Sequence, residues 1–337
     1  MKAKILNKQA PGGEREKLSK VLPLKTPLVV QFHPINVCNL KCKYCNFSKN
    51  KDKRPFISDK STMDFGLYKK GIDDLTQFPS KIKALKLAGM GEPLLYKQVS
   101  EMISYANLKK ISERTEIITN GVGITSTMAD SLISAGLSRL VISVQGITAK
   151  KYFEVSNVKL DFNGFLSNLK YLYNNKNEMQ IYIKIVDISL KDKKEKEKFY
   201  ELFGDYCDLI NIERTVPLQP GVPYNKELKI KENQYGFDIN NNVNSICSLP
   251  FFLLHITPDG NVIPCCGFEY PTIIGNIKTE SLFEIWNGDK IQKFRYKMLD
   301  GYTKVNKICN RCTIPKYRAF PKDNLDNDKI RLKKIYE

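Results

Sequence analysis

Six short apolar runs, each separated from the next by a longer segment with helical periodicity, occupy residues 28–213. They read LVVQFHPI (28–35), KALKLAG (83–89), TEIITN (115–120), RLVISVQG (139–146), QIYIKIV (180–186) and DLINIE (208–213). Runs of this length and β-branched content are predicted to be buried strands. Strands joined through helices run parallel with right-handed crossovers, because a tight turn cannot return the chain in the same direction. Six such units make an incomplete eight-fold α/β barrel, so the expected fold class is α/β, a partial (βα)6 barrel of the TIM type. Such barrels carry their chemistry at the C-terminal ends of the strands, which singles out the residues just after each run.

Nine cysteines are spread unevenly over the 337 residues: Cys38, Cys42 and Cys45, then Cys207, then Cys247, Cys265 and Cys266, then Cys309 and Cys312. The N-terminus has positive charge without the apolar run of a secretory signal. Nowhere does the sequence approach the ~20 apolar residues of a membrane-spanning helix, so a cytoplasmic chain with no membrane partner is expected. That compartment keeps thiols reduced, so clustered cysteines there point to metal or catalysis rather than disulfides. Cys38, Cys42 and Cys45 directly follow the first run and put three thiolates on one short loop. Three thiolates on a 4Fe–4S cube leave one iron open to another ligand. A structural zinc ion normally takes a fourth Cys or His, and the only local candidate, His33, lies within the predicted strand.

Cys38-x3-Cys42-x2-Cys45, with Tyr44 before the last cysteine, resembles the defining motif of the radical S-adenosylmethionine (SAM) superfamily. The likeness continues in order along the chain. Gly89-Met90-Gly91-Glu92-Pro93 is similar to the family's Gly-Gly-Glu-Pro segment, with Met90 in place of a glycine. Thr119-Asn120-Gly121 resembles its Thr-Asn-Gly signature, and Ser143 sits where a serine of the fourth strand commonly helps to bind SAM. The resemblance implies that Gly89 and Gly91 permit close backbone approach and that Glu92 offers its carboxylate to the methionine ammonium. It also implies a SAM site that includes Tyr44, Pro93, Thr119, Asn120 and Ser143. Lys184 on the fifth run, or Lys159 ahead of it, is the expected partner of the methionine carboxylate. The implied chemistry is reductive cleavage of SAM to a 5′-deoxyadenosyl radical that abstracts a substrate hydrogen.

Cys247-x17-Cys265, followed by Cys309-x2-Cys312, supplies four thiolates, which complete either a zinc site or a fully ligated 4Fe–4S cluster. Between the first two, FFLLHITPDGNVIPCC reads as a hairpin turning at Asp259-Gly260, and residues 281–287 read as an amphipathic helix. DGNVIPCC, GNI (275–277), LFEIW (282–286) and CNRC resemble the C-terminal SPASM extension of radical SAM enzymes in its shortened, one-cluster form, called twitch. The resemblance implies a small α+β domain with an auxiliary 4Fe–4S cluster on Cys247, Cys265, Cys309 and Cys312. Of the two cysteines left over, Cys207 reads as a small buried hydrophobe. Cys266, next to a ligand position, reads as a spare ligand or a catalytic hydrogen-atom donor.

The expected organisation is an N-terminal extension (1–27), the barrel core (28–216), a Pro-, Gly- and Asn-containing linker (217–244), the auxiliary domain (245–320) and a basic C-terminal tail (321–337). Fifty-four Lys and Arg against 36 Asp and Glu give a charge of +18. Part of it lies in solvated runs such as KDKKEKEK (191–198), and without an RNA-binding appendage it does not make nucleic acid an expected partner. Proteins of the resembled groups oxidise alcohols of aminocyclitols, epimerise sugars, or modify peptides. The favoured expectation is oxidation of an alcohol on a carbohydrate or aminocyclitol, with the auxiliary cluster accepting an electron. The alternative is an epimerase or a peptide-modifying, maturing or crosslinking enzyme, which loses weight because the residues before the first run are few for a leader-binding domain. Glu213 and Arg214, at the end of the sixth run, are by position candidate substrate contacts or bases, or else structural ion pairs. A flavodoxin or ferredoxin is the expected reductant.

Overall fold

The computed structural model describes residues 1–9, 13, 15–219, 222, 230–240 and 244–337. Ten strands form one sheet: β1 (Lys4–Ile5), β2 (Val29–Phe32), β3 (Ala84–Leu87), β4 (Thr115–Thr119), β5 (Arg139–Ser143), β6 (Gln180–Val186), β7 (Leu209–Glu213), β8 (Leu253–Ile256), β9 (Asn261–Ile263) and β10 (Gly275–Asn276). Their order is β1-β7-β6-β5-β4-β3-β2-β8-β9-β10. The six expected runs are β2 to β7, consecutive and parallel, which is the partial barrel. Strand β2 stops at Phe32, short of Pro34, which has no amide hydrogen to give the ladder.

After a short N-terminal turn of helix, α1 (Leu18–Val21), the crossovers are α2 (Phe65–Asp74), α3 (Val99–Lys109), α4 (Ser126–Ser134), α5 (Ala149–Ser156), α6 (Phe162–Asn175) and α7 (Lys193–Phe203). Asp64, Thr125, Thr148, Asp161 and Asp192 stand just before α2 and α4 to α7, and each side chain accepts the backbone N–H three residues on. Each such cap is worth about 1 kcal/mol, which fixes where the helix starts. Ile72, Met102, Leu132, Leu169 and Phe199 face inward and are buried with Leu85, Ile117, Leu140, Ile183 and Ile210 of the sheet. At about 2 kcal/mol for each fully buried aliphatic or aromatic side chain, this layer dominates the fold's stability. The lysine-rich run forms the start of α7, with its lysines outward and Phe199 and Phe203 inward.

Both edges of the barrel sheet are covered by chain that the sequence reading assigned elsewhere. Strand β8 of the hairpin pairs parallel with β2, from Val29 opposite Leu253 to Phe32 opposite Ile256, so the backbone ladder runs from the barrel into the cysteine-bearing module. At the other edge β1, inside the expected N-terminal extension, pairs parallel with β7. Two residues are too short to show a period, yet they satisfy an edge that would otherwise present unpaired N–H and C=O groups.

The remaining helices are α8 (Leu282–Asn287), α9 (Asp289–Met298), α10 (Lys307–Asn310), α11 (Ile314–Tyr317) and α12 (Lys329–Tyr336). A capping box between Ser281 and Glu284 starts α8. A second core joins the two chain ends: Leu18 and Leu22 pack with Phe251, Met298, Leu332 and Tyr336. The basic tail is therefore corrected to a docked helix, because Leu332 and Tyr336, one turn apart, give α12 a buried face. Trp286 Nε1 donates to the Leu24 carbonyl at 3.1 Å, and the Arg295 guanidinium lies 3.9 Å from the Trp286 ring centroid. Part of the expected linker, residues 220–221, 223–229 and 241–243, lies outside the described residues. Among the described residues no helix is long and apolar enough to cross a membrane.

Candidate active site

Parallel strands bring their C-terminal ends to one edge of the sheet, and the loop after β2 carries Cys38, Cys42 and Cys45 there as free thiols. Cys38 Sγ accepts the Leu40 N–H at 3.4 Å and lies 3.9 Å from Asn120 Nδ2, which also donates to Asn39 Oδ1 at 2.7 Å. The loop after β3 lies directly on the cysteine loop. A Cβ on Gly91 would stand 2.1 Å from the Ile35 carbonyl oxygen, and Glu92 N donates to Val37 O at 2.8 Å. A Cβ on Gly89 would meet the His33 ring at 2.4 Å, and His33 Nε2 donates to the Met90 carbonyl at 2.8 Å. Only glycine permits these approaches. Met90 buries its side chain with Phe47 and Ile57, beside Cys38 and Cys45.

Glu92 ties this loop to the next strand. Its carboxylate is 2% exposed and accepts from Thr119 Oγ1 at 2.5 Å, Leu94 N at 3.0 Å and Asn120 N at 2.7 Å. Buried carboxylate oxygens must find donors, and these three lock the end of β3 to the end of β4, leaving about one acceptor position, on Oε2. Pro93 opens the short turn that presents Leu94 N to Glu92, and Thr119 Oγ1 also accepts from Gly121 N at 3.0 Å.

Tyr44, Ser143, Lys184, Glu213 and Arg214 meet around a cavity of about 200 Å³ at the barrel mouth. Lys184 Nζ lies 2.9 Å from Glu213 Oε2, which also accepts from Gln234 Nε2 at 2.8 Å. Arg214 pairs outward, with Glu232 at 2.9 Å. Tyr44 donates to Gln145 Oε1, and Gln145 Nε2 donates to the Ser143 carbonyl at 2.7 Å. Burial pushes the Tyr44 phenol well above its usual range, so it stays a donor. Lys159 is exposed and is not on the wall of this cavity.

Cys247, Cys265, Cys309 and Cys312 line a second cavity, of about 250 Å³, whose other walls are largely apolar. Leu218, Gln219 and Phe268 belong to the walls of both cavities. Cys266, expected as a spare ligand or a donor, lies close enough to Cys247, Cys265 and Cys312 to raise their pKa values and is on the wall of neither cavity. Cys207 is fully buried in the barrel core and donates from Sγ to the Phe203 carbonyl at 3.3 Å, which accords with a packing role.

The sequence pattern of the radical SAM superfamily matches residues 32–194, and that of the SPASM iron–sulfur cluster-binding domain matches residues 247–313. The chain carries a radical SAM domain followed by a SPASM domain. This radical SAM protein is 24% identical, over 282 residues, to the S-adenosyl-L-methionine-dependent 2-deoxy-scyllo-inosamine dehydrogenase of Niallia circulans, an alignment covering 82% of this chain and 88% of that enzyme. Its fold is similar to that of BtrN in complex with AdoMet and 2-DOIA, with a TM-score of 0.53 and 20% identity, covering 85% of this chain and 92% of the other. It is also similar to Streptococcus suis SuiB bound to S-adenosylmethionine, with a TM-score of 0.64 and 17% identity, covering 89% and 74%.

A radical SAM core takes a 4Fe–4S cluster and SAM, and a SPASM domain takes auxiliary iron–sulfur clusters. The cysteines of this chain fit such groups. A single zinc ion draws four sulfurs to about 2.3 Å, whereas here the four thiols surround a cavity of about 250 Å³. Among the described residues no three His, Cys, Asp or Glu side chains converge closely enough to hold one ion. Burial pushes the Cys38 thiol up to about 11 and the Cys309 thiol up to about 12, so each keeps its proton until a cationic centre takes the sulfur.

Sequence reasoning missed Arg318, Gln219 and Gln234, which share the barrel-mouth cavity with the expected residues. All three lie in irregular chain after the last barrel strand, where no period marks a facing side. It also missed the pairing of the chain's two histidines, His33 and His255, whose ring centroids are 5.8 Å apart in the interior. Their adjacency follows from the β2–β8 pairing, which no local pattern announces.

Proposed function

We propose that this radical SAM protein oxidises an alcohol of a carbohydrate or cyclitol held in the barrel-mouth cavity, with Glu213 as proton acceptor. The observation that carries this reading is the wall common to the two cavities. Leu218, Gln219 and Phe268 border both the proposed substrate space and the cavity lined by Cys247, Cys265, Cys309 and Cys312. An alcohol oxidation must dispose of a hydrogen atom, a proton and an electron, and this arrangement gives each a neighbouring destination.

When bound, SAM on the first cluster supplies a 5′-deoxyadenosyl radical that takes the carbinol hydrogen, and one auxiliary 4Fe–4S cluster supplies the electron acceptor. Cys38, Cys42 and Cys45 would hold the first cluster and leave one iron open. Gly89 and Gly91 keep the loop after β3 against the cysteine loop. Glu92, Thr119 and Asn120 brace the loop, while Tyr44 and Ser143 on the cavity wall would contact bound SAM. Cys247, Cys265, Cys309 and Cys312 would hold the auxiliary cluster. Glu213 faces the cavity, receives the hydroxyl proton, and is held in place by Lys184 and Gln234. Lys184 is also positioned to meet the methionine carboxylate.

The Niallia circulans relative, named as a dehydrogenase of 2-deoxy-scyllo-inosamine, supports the reaction class. A flavodoxin or ferredoxin would deliver the reducing electron, and the nine free thiols suit a reducing cytoplasm.

The test uses candidate alcohols deuterated at the carbinol carbon. Label in 5′-deoxyadenosine together with a ketone product is expected. Solvent deuterium in an inverted but otherwise unchanged product would replace this reading with epimerisation.

A further inference from the structure

The charges around the barrel-mouth cavity do not balance. Lys184, Arg214 and Arg318 line it against one carboxylate, Glu213. Lys184 is matched by Glu213, and Arg214 by Glu232, which stands outside the cavity. Arg318 has the Tyr235 hydroxyl as a hydrogen-bond partner and shares the field of Glu213, the carboxylate already paired with Lys184, but among the described residues it forms no ion pair of its own within 4.0 Å. SAM does not cancel this excess, because its one carboxylate is outweighed by its ammonium and sulfonium.

Arg318 is held where it is. Tyr317 O accepts from Gln234 N at 2.9 Å, Ala319 O accepts from Asn233 Nδ2 at 2.8 Å, and Phe320 stacks on Tyr235 with ring centroids 4.3 Å apart. Thr313 Oγ1 donates to Pro217 O at 2.6 Å, which ties the same segment to the chain leaving β7. The backbone on both sides of Arg318 is therefore fixed, and the hydrogen bond to Tyr235 restrains the guanidinium at the cavity wall. A planar guanidinium matches a carboxylate or phosphate with two parallel hydrogen bonds, whereas an ammonium substrate would meet like charge.

We propose that the substrate alcohol carries an anionic group, a carboxylate or a phosphate, which Arg318 binds. The inference rests on the carbohydrate-oxidising reading and narrows it: the substrate class is a sugar acid or sugar phosphate, the opposite in charge to an aminocyclitol.

The test measures calorimetric binding of four surrogates, glucose 6-phosphate, glucuronate, glucose and glucosamine, to the anaerobically reconstituted protein with SAM. At least one anion is expected to bind at least tenfold tighter than glucose, with glucosamine weakest; which anion leads distinguishes phosphate from carboxylate. Arg318→Gln should remove that preference and Arg318→Lys should restore part of it, with iron content confirming that both variants fold. The proposal is overturned if glucosamine binds as well as the anions, if no surrogate binds at about 10 mM, or if Arg318→Gln weakens SAM binding and leaves anion preference intact. Dithionite-driven formation of 5′-deoxyadenosine by the unaltered protein is followed in parallel. If it is absent the underlying reading fails, and if it is present without anion preference only this inference does.

Discussion

Lys184 and Glu213, at the ends of neighbouring strands β6 and β7, form an ion pair of 2.9 Å that is 19% and 7% exposed and faces the barrel-mouth cavity. The pair holds the Glu213 carboxyl group at the cavity wall, where a hydroxyl proton has to be received. Glu213→Gln preserves the shape and the contact with Gln234 but has no basicity. Ketone formation is expected to fall roughly 10²–10⁴-fold, the usual worth of a positioned base. Because hydrogen abstraction precedes proton loss, 5′-deoxyadenosine should still form. Equal loss of both products would remove Glu213 from the proton step.

The same pair makes a stability prediction. Lys184→Met leaves the Glu213 carboxylate with Gln234 alone, and the chain should lose about 2 kcal/mol, less than the 3–5 kcal/mol for breaking a fully buried pair because Lys184 reaches solvent. Adding Glu213→Gln should recover much of that loss, so the two substitutions are non-additive. Chemical unfolding of the four proteins measures this coupling, and simple additivity would contradict it.

Two separate cysteine sets predict separable losses. Anaerobic reconstitution should give about eight irons per chain. Replacing Cys38, Cys42 and Cys45 by Ala should leave about four irons and abolish SAM cleavage. Replacing Cys247, Cys265, Cys309 and Cys312 should also leave about four, keep SAM cleavage and stop product formation. One tightly held zinc in place of the second set of irons would refute the auxiliary cluster.

The six barrel strands and both cysteine groups were legible because each announces itself locally, by a short β-branched run or by sulfur spacing. Long-range geometry was not. Nothing around Lys4 and Ile5 marks them as the partner of β7, and nothing in Leu253–Ile256 says that it pairs with β2. The GMGEP segment was readable as a loop against the cysteines, but the bracing of Glu92 was not, since its donors Thr119 and Asn120 come from a different strand. Arg318 was invisible for the same reason: its position depends on hydrogen bonds between residues 233–234 and 317–319, two irregular segments far apart in sequence.

Gly91 should be irreplaceable at the cysteine loop. A Cβ there would sit 2.1 Å from the Ile35 carbonyl oxygen, a backbone atom that cannot rotate away, and φ is +154°. Gly91→Ala must push residues 35–37 and so displace Cys38. Iron content should fall toward about four per chain, with the auxiliary set retained. A variant with about eight irons and unchanged SAM affinity would show that the loop absorbs the methyl group.

His33 predicts a pH dependence. Burial, the largest cause, lowers its pKa from 6.5 to about 4, despite the Met90 carbonyl, which favours the proton. Below pH 6.5 the unfolded chain binds a proton that the folded chain refuses until about pH 4. Its contribution to stability is therefore complete above 6.5 and is lost as pH falls from 6.5 toward 4, at about 1.4 kcal/mol per pH unit and about 3 kcal/mol in all. His33→Gln retains an N–H donor for Met90 O but does not titrate. Urea unfolding between about pH 7 and about pH 5 should show a shallower decline for the variant than for the unaltered chain. His255, lowered by burial to about 3, keeps its own share of the decline in both proteins, so the difference between the two slopes belongs to His33. Identical slopes would mean that His33 is not buried in its neutral form.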